Sequence, residues 1–324
     1  VDEAMQIDIS DLESTVRALV SGDIRTAARL ITLVERGSDE LTPLLQRLYR
    51  DGGRGKTIGI TGPPGAGKSS LTNRLVSVWR KRGLSVAVLA VDPSSPFTGG
   101  AVLGDRLRMM EHACDPGVFI RSMASRGQLG GLAKATGDAL TILNAMPWDI
   151  VLIETVGVGQ NETDIMRHAE VVLLVQTPMG GDDIQAAKAG ITEIGDIFVV
   201  NKADHPQADH TVRQLETMVA LGNCLHPDRT WLPPVVKTQA TSGEGLERLV
   251  DHIERRFAHL IRHPEIADTR RRDRIRRRVT EILQQLLDQR MRSSGADWLD
   301  EAIDPVVART SDPYALAAAL IERL

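Results

Sequence analysis

Thr57-Ile58-Gly59-Ile60-Thr61-Gly62-Pro63-Pro64-Gly65-Ala66-Gly67-Lys68-Ser69-Ser70 changes chemical character twice. Its first five residues are rich in β-branched side chains and read as a strand. Gly62 to Ser69 then satisfy G-x-x-x-x-G-K-[ST], the phosphate-binding P-loop. The glycines Gly62, Gly65 and Gly67 let the backbone fold tightly enough for consecutive N–H groups to surround phosphate oxygens. Lys68 supplies a point charge to the outer phosphates, and the Ser69 hydroxyl is placed to ligate Mg²⁺. From Ser70 to Trp79 the pattern is helical, so phosphates would also meet a helix N-terminus. The run Gly62, Pro63, Pro64, Gly65, Ala66, Gly67, Lys68, Ser69, Ser70 is therefore the expected phosphate site. The pattern implies a nucleoside triphosphate.

Outward from this stretch, composition sets bounds. A chain of 324 residues exceeds one ordinary domain, and its 42% hydrophobic residues can supply a proper core. A net charge of -4 gives no general affinity for nucleic acid. Cys114 and Cys224 show no metal-ligand spacing and are expected as small core residues in a reducing compartment. No apolar run approaches the length of a membrane span. The opening Val1–Gln6 lacks a signal-peptide pattern and an initiator Met, so a trimmed start and a cytoplasmic protein are expected.

Residues 1–55 read as an N-terminal helical extension that packs without catalysing. Ser10 and Ser21 are its expected N-caps, with Leu12, Val16, Leu19 and Val20 on one face. From 56 to 263 apolar strands alternate with helical patterns: Thr57–Thr61, Ser85–Val91, Val118–Arg121, Asp149–Glu154, Val171–Gln176, Ile197–Asn201 and Val235–Lys237. Continuous Val/Ile/Leu runs suit strands covered on both faces. The fold class is α/β, with a mostly parallel central sheet flanked by helices and function at the carboxyl ends of the strands. Residues 264–324 are helical, with Ile275, Val279, Ile282, Leu283, Leu286 and Leu287 on one stripe beside an arginine-rich run. A short helix around Trp298–Ile303 and a last helix capped at Ser311-Asp312-Pro313-Tyr314 follow.

Further constellations lie at strand ends. Asn201-Lys202-Ala203-Asp204 has the N-K-x-D arrangement that reads guanine, because a carboxylate at Asp204 can accept from N1–H and the 2-amino group together. GTP is favoured over ATP. Glu154-Thr155-Val156-Gly157 occupies the place of a D-x-x-G motif, with Glu154 near the metal and the Gly157 N–H near the γ-phosphate. Val158 stands where small GTPases place a water-orienting Gln, so slow unassisted hydrolysis is expected. Asp92 and Asp105 are either metal-proximal carboxylates, if the second strand flanks the P-loop strand, or caps of local turns. Gln239, Ala240 and Thr241 sit where a further guanine-contacting loop belongs. The histidines show no metal-ligand spacing.

With these motifs in order, together with Leu89–Ser95, Gly104–Met109 and Gly130-Gly131-Leu132, the chain resembles the MeaB/ArgK family of P-loop GTPases, chaperones of adenosylcobalamin-dependent acyl-CoA mutases. The resemblance implies that Asp92, Asp105 and Glu154 join Ser69 around Mg²⁺. It implies a mobile segment Gly181–Lys188, whose Asp182 and Lys188 couple partner binding to hydrolysis of GTP to GDP. It also implies that 264–324 is a homodimerisation arm. Phe97, in Pro93-Ser94-Ser95-Pro96-Phe97-Thr98, stands where the form associated with methylmalonyl-CoA mutase has Arg, which leaves the client mutase open. Two other readings stand beside this one: a kinase acting on a transport-associated protein, and an interaction module using nucleotide as a structural ligand.

Overall fold

Seven strands form one fully parallel sheet in the computed structural model, which describes residues 11–53, 55–92, 110–112, 114–124, 131–155, 168–178, 195–225, 230–293 and 297–323. They are β1 (Lys56–Thr61), β2 (Val86–Asp92), β3 (Val118–Ala124), β4 (Ile150–Thr155), β5 (Val171–Gln176), β6 (Ile197–Val200) and β7 (Val235–Lys237). Their order is β3-β2-β4-β1-β5-β6-β7. From β1 the chain builds β2, β3 and β4 on one side of it and then crosses to build β5, β6 and β7 on the other, so strand order reverses at the P-loop strand. Crevices at such switch points receive ligands.

Alternation along the strands divides two cores. Val86 and Val88 of β2 and Leu152 of β4 face Leu71, Leu75 and Trp79 of α4 (Lys68–Lys81), with Leu249, Val250 and Ile253 of a later helix. Ala87, Leu89, Val151 and Ile153 face the opposite way. There they meet α1 (Leu12–Val20), α2 (Ile24–Glu35), α3 (Thr42–Asp51) and α5 (Gly131–Ala145). The N-terminal helices thus help cover one face of the sheet. Leu19, Leu30, Leu44 and Leu48 are essentially inaccessible, each burial contributing roughly 1.5–3 kcal/mol.

Three local expectations are corrected. The caps of α1 and α2 are Asp11 and Asp23, whose carboxylates accept from Ser14 N (3.0 Å) and Arg25 N (2.9 Å). Ser21 closes α1 instead, and Ser10 lies outside the described residues. An ionised cap complements the helix dipole better than a hydroxyl, which favours aspartate at both sites. Val20 is exposed, one residue beyond the stripe made by Val16 and Leu19. Cys114 and Cys224 are exposed rather than core residues.

The remaining α-helices among the described residues are α6 (Ala208–Leu225), α7 (Leu246–Arg262), α8 (Pro264–Ser293), α9 (Asp297–Val307) and α10 (Pro313–Arg323). The chain divides into two compact units, 1–274 and 275–324, with the boundary inside α8. In the second unit, the stripe from Ile275 to Leu287 is exposed, and Asp312 caps α10 through Tyr314 N and Ala315 N.

Candidate nucleotide-binding site

β1 delivers the chain to Gly62, whose φ of +146° suits glycine alone. A Cβ there would lie 2.0 Å from the Val175 carbonyl oxygen, so β5 backbone occupies the space. Gly67, with φ +83°, meets the same limit, its hypothetical Cβ falling 2.4 Å from Asn201 Nδ2. These two positions fix a tight loop that ends where α4 begins, and a helix N-terminus at that place is suited to an anion. The Lys68 ammonium lies across this loop, donating to the carbonyls of Gly62 (2.6 Å) and Pro63 (3.0 Å).

Parallel pairing places Glu154 beside Ile60, and there the Ser69 hydroxyl donates to Glu154 Oε1 at 2.5 Å. Both residues are buried. A hydroxyl and a carboxylate, both hard oxygen donors next to a phosphate cradle, fit Mg²⁺ better than a softer metal. The expected arrangement of strands is corrected: β4, not β2, flanks β1 on this side. Glu154 therefore takes the near position, on a strand that is buried along its whole length between β1 and β2. Asp92 ends β2, one strand further out. Asp105, Gly157, Asp182 and Lys188 lie outside the described residues, as does Val158.

The base side is built on Asn201. Its amide nitrogen donates to the Ala66 carbonyl at 2.8 Å, and its amide oxygen accepts from Ala240 N at 3.1 Å and Thr238 Oγ1 at 3.3 Å. One side chain thereby joins the phosphate loop to the later loop. A further bond, Ala203 N to the Thr238 carbonyl (3.0 Å), ties that loop to the residues after β6. Lys202 takes a left-handed φ of +59°, and Lys202 and Asp204 are exposed at this edge, open to a planar base. Gln239 closes its own turn, accepting from Gly243 N and donating to the Glu244 carbonyl.

Sequence reasoning passed over the residues that brace α4. Arg74 donates to the carbonyls of Ala240 (3.1 Å) and Thr241 (3.2 Å). Asn73 donates to Glu111, Ser77 meets His112, and Arg80 forms paired 2.8 Å bonds to Asp115. The Arg80 guanidinium holds the Asp115 carboxyl below its ordinary range. The signal available was the polar row Asn73, Ser77, Arg80 at helical spacing.

A loop shaped for polyphosphate, bonded through one asparagine to a loop that can read guanine, is the construction of a P-loop GTPase. The comparisons agree. A family profile described as methylmalonyl Co-A mutase-associated GTPase MeaB matches residues 27–296. A Pyrococcus horikoshii protein named as a GTPase is 44% identical, covering 97% of this chain and 98% of that one. The GTPase ArgK of Escherichia coli is 36% identical over 75% of each chain. A crystal structure titled LAO/AO transport system kinase superposes with a TM-score of 0.68 at 25% identity, covering 98% of both chains. The chain belongs to the MeaB/ArgK family of P-loop GTPases, and it binds GTP and GDP.

Proposed function

We propose that this GTPase is a Mg²⁺-dependent chaperone whose hydrolysis of GTP gates the loading of adenosylcobalamin onto an acyl-CoA mutase and the mutase's protection and reactivation. The observation that carries the reading is the match, along residues 27–296, to a family described by its association with methylmalonyl-CoA mutase. A mouse relative named methylmalonic aciduria type A homolog, 37% identical over 74% of this chain, supports it. The client is methylmalonyl-CoA mutase or a close relative.

In this reading Lys68 neutralises the outer phosphates and Asp204 selects guanine. Gly157 would supply an N–H to the γ-phosphate, and Asp182 and Lys188 would respond to the partner. Ser69, Asp92, Asp105 and Glu154 would hold Mg²⁺, which supplies charge neutralisation at the phosphates when bound. Val158 cannot orient a water, so a partner has to complete the hydrolytic site. Residues 1–55 serve as helical cover, 56–263 as the GTPase domain and 264–324 as an arm. The arm's exposed stripe, Ile275, Val279, Ile282, Leu283, Leu286 and Leu287, joins two copies of the chain. We place the protein in the cytoplasm; no helix among the described residues is long and apolar enough to cross a membrane.

The test is GTP and ATP turnover by purified protein, its mass fixed by light scattering, alone and with candidate mutases, each with and without adenosylcobalamin. Slow GTP turnover by a dimer, accelerated by one mutase, is expected, with a smaller acceleration when Lys188→Ala replaces the wild-type GTPase. No response to any mutase would remove the chaperone role. Transfer of labelled γ-phosphate to protein instead of water would establish the kinase reading.

A further inference from the structure

Arg74, Arg80 and Arg82 lie along one side of the sheet, and their partners differ in kind. Arg80 pairs with Asp115, and Arg82 donates to Glu247 and Glu254. Arg74 has no carboxylate partner among the described residues. Its guanidinium is committed to two consecutive backbone carbonyls, Ala240 through Nε and Thr241 through Nη2.

A trans peptide unit is planar, with its C=O and N–H pointing in opposite directions. Holding the Ala240 carbonyl against α4 therefore turns the Thr241 N–H away from the helix. Holding the Thr241 carbonyl does the same to the Ser242 N–H. Nearby N–H groups in this loop are consumed internally: Ala240 N by Asn201, Gly243 N by the Gln239 carbonyl and Glu244 N by the Ser242 hydroxyl. The N–H groups of Thr241 and Ser242 donate to nothing among the described residues, and both residues are exposed. They are two aligned donors, next to the loop that carries Asp204, held outward by one cation.

We propose that Arg74 is a specificity-positioning residue, holding these two peptide units so that their N–H groups face the 6-position of a bound purine. Guanine carries a carbonyl acceptor there, whereas adenine carries an amino donor that two N–H groups would repel. The inference rests on the reading of Gln239, Ala240 and Thr241 as part of a base-contacting loop, and extends it by one residue to Ser242. It differs from simple attachment of that loop to α4, which would weaken every nucleotide alike.

Calorimetric titration of full-length Arg74→Met and Arg74→Lys with GDP, IDP, ADP and 2-aminopurine riboside diphosphate separates the two. The last ligand keeps the 2-amino group and lacks the 6-carbonyl. Arg74→Met should bind GDP and IDP about ten- to a hundred-fold more weakly, the worth of about two neutral peptide N–H bonds to the purine carbonyl. Its affinity for the 2-aminopurine nucleotide should stay within about two-fold of wild type, the size of an effect with no bond lost. Arg74→Lys, with one donor reaching one carbonyl, should fall between. Equal weakening of all four ligands, or of none, would overturn the assignment. Wild-type protein binding GDP and ADP alike would overturn the base-loop reading, and Arg74's role with it. Circular dichroism confirms that each variant is folded, and the Lys variant carries the same comparison if the Met variant is not.

Discussion

At the carboxyl end of β6, Asn201 spreads one amide over Ala66, Thr238 and Ala240, three partners on two loops. At the amino end of the same strand, Asp196 does the reverse and gathers its partners onto one buried carboxylate. Arg256 donates to Oδ1 from Nε (3.0 Å) and Nη2 (2.9 Å), and Arg270 reaches both oxygens at 2.7 and 2.9 Å. Val172 N adds a bond at 2.9 Å, and the Asp196 carbonyl accepts from Trp231 Nε1. Burial opposes the charged form of both arginines. At Arg270 attraction to Asp196 outweighs it and the group titrates above its ordinary value, while at Arg256 burial prevails. The polar end that handles a ligand keeps exposed groups, Lys202 and Asp204, on a braced frame. The other end is closed on itself and holds the first turns of α8 to the sheet.

The largest expected effect breaks the closed end. Asp196→Ala leaves Arg256 buried without its carboxylate, a loss of about 3–5 kcal/mol, or roughly 10 °C in Tm. Thermal unfolding reads it directly. If the two ends are as separate as the geometry makes them, GDP affinity of the folded variant stays near wild type. An Asp196→Ala protein with unchanged Tm would show that the node contributes specificity rather than stability.

Lys68→Ala tests the open end and should do the opposite. Phosphate release is expected to fall about 100- to 1,000-fold, the usual cost of one preorganised charge lost from a transition state. Stability should change little, because removing a desolvated ammonium offsets the loss of its bonds to Gly62 and Pro63. A large Tm loss here would mean that the P-loop is held together by its own lysine, and the contrast between the ends would dissolve.

The same contrast explains what the sequence made legible. Phosphate and guanine chemistry demand contiguous residues, so Gly62–Ser69 and Asn201–Asp204 could be read as written, and every strand of the sheet was visible as an apolar run. Strand order was not, because nothing local distinguishes β4 from β2 as the neighbour of β1. Both are Val/Ile/Leu runs ending in a carboxylate, Glu154 on one and Asp92 on the other. The Asp196 node was invisible for a related reason: its members stand 60 and 74 positions apart, and each alone looks like an ordinary surface charge. Arg74 is a third case. Its partners are main-chain carbonyls, which carry no signature in the side-chain sequence.

The smallest effect sharpens the description of the closed end by pH. His259 is buried beside the node, with Nδ1 3.1 Å from Arg256 Nη1 and Nε2 3.1 Å from the Thr230 carbonyl. Arg256 can only donate, so Nδ1 is the acceptor and the ring is neutral, with Nε2–H donating to Thr230. Burial pushes the His259 pKa below its ordinary 6.5, and the positive charge of Arg256 adds to the effect against the Thr230 bond. A histidine with a depressed folded-state pKa binds a proton more readily when unfolded. Its contribution is therefore complete above about pH 6.5 and is lost as pH falls through the lower, folded value. Wild-type Tm should drop more between about pH 7.5 and pH 5.5 than that of His259→Gln, whose amide can accept from Arg256 and donate to Thr230 without titrating. His252, also shifted down by burial, is present in both proteins and cancels in the difference. Parallel Tm curves would show that the ring tolerates protonation beside Arg256, and that the amino end of the sheet is less closed than its hydrogen bonds make it.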